Sequence, residues 1–189
     1  MANRFVTTAR IEEEVKKALA ATLRLDEAKV GLDASIMNDL GATSIDFLDL
    51  NFRLESAFGI QLATQLLLDH VEEELGEGKA IDRNNQITGG AAALLRMHLG
   101  DVPGLEAGMY ADQVPALVTP RVLVKSVDAI TSLLPAACTH CGAAGWKSVD
   151  GAKVACGACG KPAAYPDGDA LTREWIRQVE REQGVFTRA

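Results

Sequence analysis

Apolar residues spaced three and four apart dominate the front of the chain, and that period predicts helices. Ile11, Val15, Ala18, Leu19 and Leu23 form one stripe, preceded by Thr8, a residue able to cap a helix start. A second stripe, Phe47, Leu50, Leu54 and Phe58, runs through residues 45–58, with Asp46, Asp49, Arg53 and Ser56 on a polar face expected to look outward. Gly31 and Asp33 mark a long loop between the two. Further on, the pattern predicts a helix over 63–75, a polar break over 76–90 and a short Ala/Leu helix over 91–99 ended by Gly100. Thr119 then caps, and Pro120 opens, a helix with the stripe Leu123, Val127, Ile130 and Leu134.

Beyond residue 134 the period changes. Trp146-Lys147-Ser148-Val149 and Ala152-Lys153-Val154-Ala155 flank Asp150-Gly151, a preferred two-residue hairpin turn. All four cysteines lie here, as Cys138-Thr139-His140-Cys141 and Cys156-Gly157-Ala158-Cys159, with fourteen residues between the pairs. This spacing is a strong zinc signal: each turn offers two thiolates, Gly142 and Gly160 free the backbone after the second ligand, and four sulfurs complete a tetrahedral shell. Disulfides suit secreted chains, of which there is no sign, and a thioredoxin-like pair belongs beside a βαβ unit. His140 could replace a cysteine, but four thiols suffice. A closed four-cysteine shell has no open position, so its expected role is structural. A last helical stripe, Leu171, Trp175, Ile176 and Val179, follows Asp169 as cap and ends at Gly184. His70 and His98 have no partner identifiable from the sequence.

With 189 residues, 48% of them hydrophobic, the chain can build one large or two small cores without disulfides. The net charge of -7 is uneven: residues 1–79 hold 8 basic and 15 acidic groups, and the remainder is nearly balanced. An acidic front argues against nucleic acid and for partner proteins with basic patches, beside the ordinary role of acids as solubilising charge. No charged leader followed by an apolar core and cleavage site is recognisable, and no apolar run approaches the roughly 20 residues of a membrane span. The expected location is cytoplasmic, with no membrane span.

One segment carries more chemistry than the rest: Asp39-Leu40-Gly41-Ala42-Thr43-Ser44-Ile45-Asp46-Phe47-Leu48-Asp49-Leu50. Ser44 lies where a turn enters the second helix, and there unpaired N–H groups and the positive end of the helix dipole favour a phosphodiester. Thr43-Ser44-Ile45-Asp46 also fits a capping box, so spacing alone leaves a plain helix start and an attachment point both open. The run from Asp39 to Asp46, continued by Leu54-Glu55-Ser56-Ala57-Phe58-Gly59-Ile60, resembles the signature of acyl carrier proteins and related carrier domains. The resemblance extends over about residues 8–62 and returns at Thr119-Pro120-Arg121-Val122-Leu123-Val124, which is similar to the start of that family's closing helix. The family's usual Asp-Ser-Leu reads Thr43-Ser44-Ile45 here: isoleucine keeps an apolar residue after the serine, and threonine removes a charge before it.

The resemblance implies that a phosphopantetheinyl transferase attaches 4'-phosphopantetheine to Ser44, where an acyl group rides as a thioester for enzymes of lipid or polyketide biosynthesis. It implies that Asp39 and Gly41 shape the turn. It further implies that Ile45, Asp46, Leu48, Asp49 and Glu55 form the surface on which the acyl-loading and acyl-transfer enzymes dock. Such a protein is a carrier and not an enzyme.

The expected fold class is therefore mainly α. An acyl-carrier-like helical bundle over 1–134 holds inserted helices over about 63–118, followed by a small β zinc ribbon over 135–168 and a C-terminal helix over 169–189. The inserted Leu66, Leu67, Leu68, Leu94, Leu95, Met97 and Leu99 must bury somewhere, either in an enlarged bundle core or around a cavity that shelters an acyl chain. The expected metal ligands are Cys138, Cys141, Cys156 and Cys159, holding Zn2+ in a ribbon that is structural or that, with the last helix, docks a partner enzyme. The alternative reading is a zinc-ribbon adaptor for protein or nucleic acid, with no prosthetic group and Ser44 as a helix start only.

Overall fold

Several of the helices begin where the chain supplies a side-chain acceptor for the first, unpaired N–H groups. Helix α1 (Thr8–Leu23) starts behind Thr7, whose hydroxyl accepts from the Arg10 N–H at 3.2 Å, so the cap lies one residue before the expected Thr8. Helix α2 (Ser44–Phe58) starts behind Thr43, which forms the expected capping box with Asp46, and ends at Gly59 in the left-handed conformation that favours glycine. Helix α3 (Leu67–Leu75) is shorter than expected, because the N–H groups of Thr64 and Gln65 are spent on the Asp169 carboxylate instead of a helical turn. Helix α4 (Gly89–Leu99) is capped by Thr88, and α5 (Pro120–Thr131) has its proline in the first turn. Strands β1 (Trp146–Val149) and β2 (Lys153–Cys156) pair antiparallel, and helix α6 (Gly168–Gln183) follows. The computed structural model describes residues 5–187, and its architecture is the mainly helical one with a small β region that the sequence predicts.

The fold divides into two compact units, neither contiguous in sequence. The first joins the chain up to Leu62 with Thr119–Asp167. In it α1 packs on both α2 and α5, through the buried Ile11, Val15 and Leu19 of α1, Leu50, Leu54 and Phe58 of α2, and Val122, Val127 and Ile130 of α5. The loop before α2 is tied to α5 by Arg121, whose guanidinium donates to both Asp33 carboxylate oxygens at 2.6 and 2.7 Å and whose N–H donates to the Leu32 carbonyl. The hairpin belongs to this same unit, with β2 alongside α2.

The second unit joins Ala63–Val118 with the chain from Gly168 onward, and here α3 packs on α6 and α4. Its buried residues include Leu68, Leu94, Leu95 and Leu99 of the insertion and Ile176 and Val179 of α6, while Leu66 and Met97 are exposed. The apolar side chains of the insertion thus go into a separate unit, not into an enlarged carrier bundle. Polar contacts reinforce it. Asp169 accepts from Thr64 N–H, Gln65 N–H, the Thr64 hydroxyl and His70 Nε2, the last at 2.9 Å, and Arg177 donates to both oxygens of Glu74. Asp169 therefore lies inside the first turn of α6 as an acceptor for the start of α3, and His70, fully buried, has a partner that the sequence alone did not show.

Candidate functional site

Ser44 is the first residue of α2 and is exposed. Two features hold its turn. Ser35 N–H donates to Asp39 at 2.7 Å, and Gly41 takes a φ of +76°, a conformation that other residues rarely adopt. A Cβ placed on Gly41 would meet nothing within 4 Å, so the space beside the turn is open. On the far side of Ser44, Asp46 Oδ2 accepts from both the N–H and the hydroxyl of Thr43, at 2.7 and 2.6 Å. An exposed hydroxyl at a helix N-terminus, with free space around it, suits a bulky phosphodiester.

The acids marked for docking are all engaged within the chain. Asp46 serves the capping box, and the Thr43 hydroxyl and N–H hold its carboxyl below the usual carboxylate range. Asp49 accepts from Arg53 and from the Thr22 hydroxyl of α1, each at 2.7 Å, and these bonds lower it too, Arg53 chiefly. Glu55 accepts from the Leu62 N–H at 2.9 Å. The apolar residues are free by contrast: Ile45 is 74% exposed, Leu48 70% and Phe52 68%. Spaced i, i+3, i+7, these three line one outward stripe of α2 starting beside Ser44. Phe52 went unnoticed in the sequence, although the same spacing from Ile45 and Leu48 was there to find it. It borders an open groove of about 420 Å³ between α2 and the Lys17, Ala18 and Ala21 side of α1.

The cysteines converge. Cys138 and Cys156 are buried, Cys141 and Cys159 exposed, and all four Sγ atoms lie within 4.8 Å of one another. Cys138 Sγ is 3.8 Å from Cys159 Sγ, and Cys141 Sγ is 3.6 Å from Cys156 Sγ. Zinc with Zn–S bonds of about 2.3 Å separates its sulfurs by about 3.8 Å, so these spacings fit the edges of a zinc tetrahedron. Backbone N–H groups of Cys159 and Ala158 lower the pKa of the Cys156 thiol, while the sulfurs of Cys159, Cys156 and Cys138 raise that of Cys141, the opposed shifts of thiols crowded into one site. Each knuckle turn is closed by a backbone bond, Gly142 N–H to Cys138 carbonyl and Gly160 N–H to Cys156 carbonyl.

The family model described as a phosphopantetheine attachment site matches residues 13–72, a span containing α1, α2 and Ser44. An acyl carrier protein from Petrotoga mobilis is 39% identical over 62 residues, which cover 33% of this chain and 73% of that protein. This chain belongs to the acyl carrier protein family. Its cofactor is accordingly 4'-phosphopantetheine, and the cysteine cluster adds a site fit for zinc. No solved structure matches the chain. The family match ends within α3, so the ribbon, α6 and most of the insertion lie outside it. Among the described residues no helix is long and apolar enough to cross a membrane.

Proposed function

We propose that this protein is an acyl carrier in which Ser44 bears the prosthetic group and α2 presents it to partner enzymes. The observation that carries the reading is the exposed Ser44 hydroxyl at the α2 N-terminus, inside the span that the carrier family matches. When bound, the phosphopantetheine arm supplies a terminal thiol on which an acyl group is held as a thioester. The chain's own residues do the rest. Gly41 and Asp39 fix the turn, the Thr43–Asp46 box fixes the helix start, and the dipole of α2 favours the negative charge of the phosphodiester. Thr43 stands where the family usually has an acid, so the phosphate meets one carboxylate fewer beside it.

Docking in this reading rests on Ile45, Leu48 and Phe52, with Asp46, Asp49 and Glu55 shaping the helix from which those side chains project. The partners are a phosphopantetheinyl transferase and acyl-loading and acyl-transfer enzymes of lipid or polyketide biosynthesis, in the cytoplasm. Cys138, Cys141, Cys156 and Cys159 hold zinc in a closed shell with no position for a substrate. In this reading the protein carries its cargo and is not itself a catalyst; His70 is bonded to Asp169, and His98 lies against Trp175 with ring centroids 5.7 Å apart.

Intact-protein mass spectrometry after co-expression with a broad-specificity phosphopantetheinyl transferase tests the proposal. The expected result is one added phosphopantetheinyl group, lost in Ser44→Ala. No addition with this or the cognate transferase would leave Ser44 a helix start and favour a zinc-ribbon adaptor.

A further inference from the structure

The ribbon contains a burial pattern that its own strands cannot supply. Successive residues of a strand point to opposite faces, yet Val154 is 3% exposed, Ala155 8% and Cys156 0%. β1 is mostly exposed, and a two-stranded hairpin of four-residue strands has no core of its own. On its second edge β2 is joined by residues 161–163, through the Ala163 N–H to the Val154 carbonyl and a bridge between Ala155 and Pro162. That completes the edges of β2 but leaves its faces to be covered, and α2 lies alongside it. At the hairpin turn, Arg10 of α1 interacts electrostatically with Asp150, and its side chain is 3.9 Å from where a Cβ on Gly151 would stand. The ribbon therefore meets both α1 and α2 of the carrier bundle, and the metal turns set its shape.

We propose that zinc binding by the four cysteines is coupled to the packing of α1 and α2, making the ribbon a metal-dependent clamp on the helix that presents Ser44. The clamp itself rests on the cysteine cluster; its link to acyl carriage rests on the function proposed above. Four thiols without a metal do not hold two knuckle turns together, and small metal-organised modules unfold when the ion leaves. Loss of the ribbon then uncovers the β2 side of α2 and the first turn of α1. Because coupling is reciprocal, intact helices must in turn tighten the metal site.

The test uses full-length Ser44→Ala protein, so that no prosthetic group takes part, with zinc content measured by elemental analysis. Amide hydrogen exchange is followed before chelation, after it, and after zinc is restored. The expected result is loss of protection in α1 and α2 on chelation and its recovery with zinc. Metal removal that leaves their protection unchanged would overturn the clamp, and so would a protein that binds no zinc; neither outcome touches the Ser44 modification, which is read separately on the wild type. A second arm uses Ile11→Val, a mild truncation in the α1 core distant in sequence from every cysteine. Competition with a chromophoric chelator should show weaker zinc binding in the variant, whereas unchanged affinity would mean that helices and metal act independently.

Discussion

At the scale of single residues, carboxylates decide where this chain bends and where its helices begin. Asp46 closes the turn in front of α2, Asp49 joins α2 to α1 through Thr22, and Asp169 gathers four donors at the start of α6. Burial raises the pKa of Asp169, but the bonds from Thr64, His70 and Gln65 outweigh it and the net shift is downward. A carboxyl whose folded value is depressed contributes stability above its unfolded value and loses it as pH falls through the folded one. The contributions of Asp46, Asp49 and Asp169 are thus complete well above the ordinary value of 3.8 and are lost progressively as pH falls from there through the lower folded values. Melting temperature should fall as the pH drops below about 4, and Asp46→Asn should make that acid limb shallower; an unchanged limb would refute the assignment.

At the scale of elements, α2 has two apolar faces with different tasks. Leu50, Leu54 and Phe58 hold the bundle, while Ile45, Leu48 and Phe52 look outward from the Ser44 end. Phe52→Ala should raise the KM of a partner enzyme several-fold while leaving the melting temperature within about 1 °C, as expected for truncation at an exposed anchor. A drop in melting temperature without a KM effect would make Phe52 structural instead. The helical period made α1, α2, α4 and α5 legible in the sequence, and the paired Cys-x-x-Cys spacing made the metal cluster legible, because these signals are local. What stayed hidden depends on distant partners. Nothing near Thr64 announces that its N–H will meet Asp169, and nothing near Asp49 announces Thr22, so the start of α3 and the engagement of the docking acids emerge only with the fold.

At the scale of the whole molecule, two units are each closed by a later piece of chain: α5 and the ribbon complete one, and α6 and its tail complete the other. In the second unit the tail folds back so that Phe186 lies over Gly90 at the start of α4, and a Cβ on Gly90 would come within 2.5 Å of its ring. Gly90→Ala should therefore cost about 1–3 kcal/mol and speed exchange in α4, measurable by denaturation and amide exchange. The interleaving also sets an order of events during synthesis. Helices α1 and α2 leave the ribosome with the side that α5 will cover still bare, and they must wait while the whole of Ala63–Val118 is made, several seconds at about 5–20 residues per second. Throughout that interval the serine is already outside but its bundle is not. A nascent chain halted before residue 119 would be a poor substrate for modification, and one halted before the cysteines would carry the helices without their clamp.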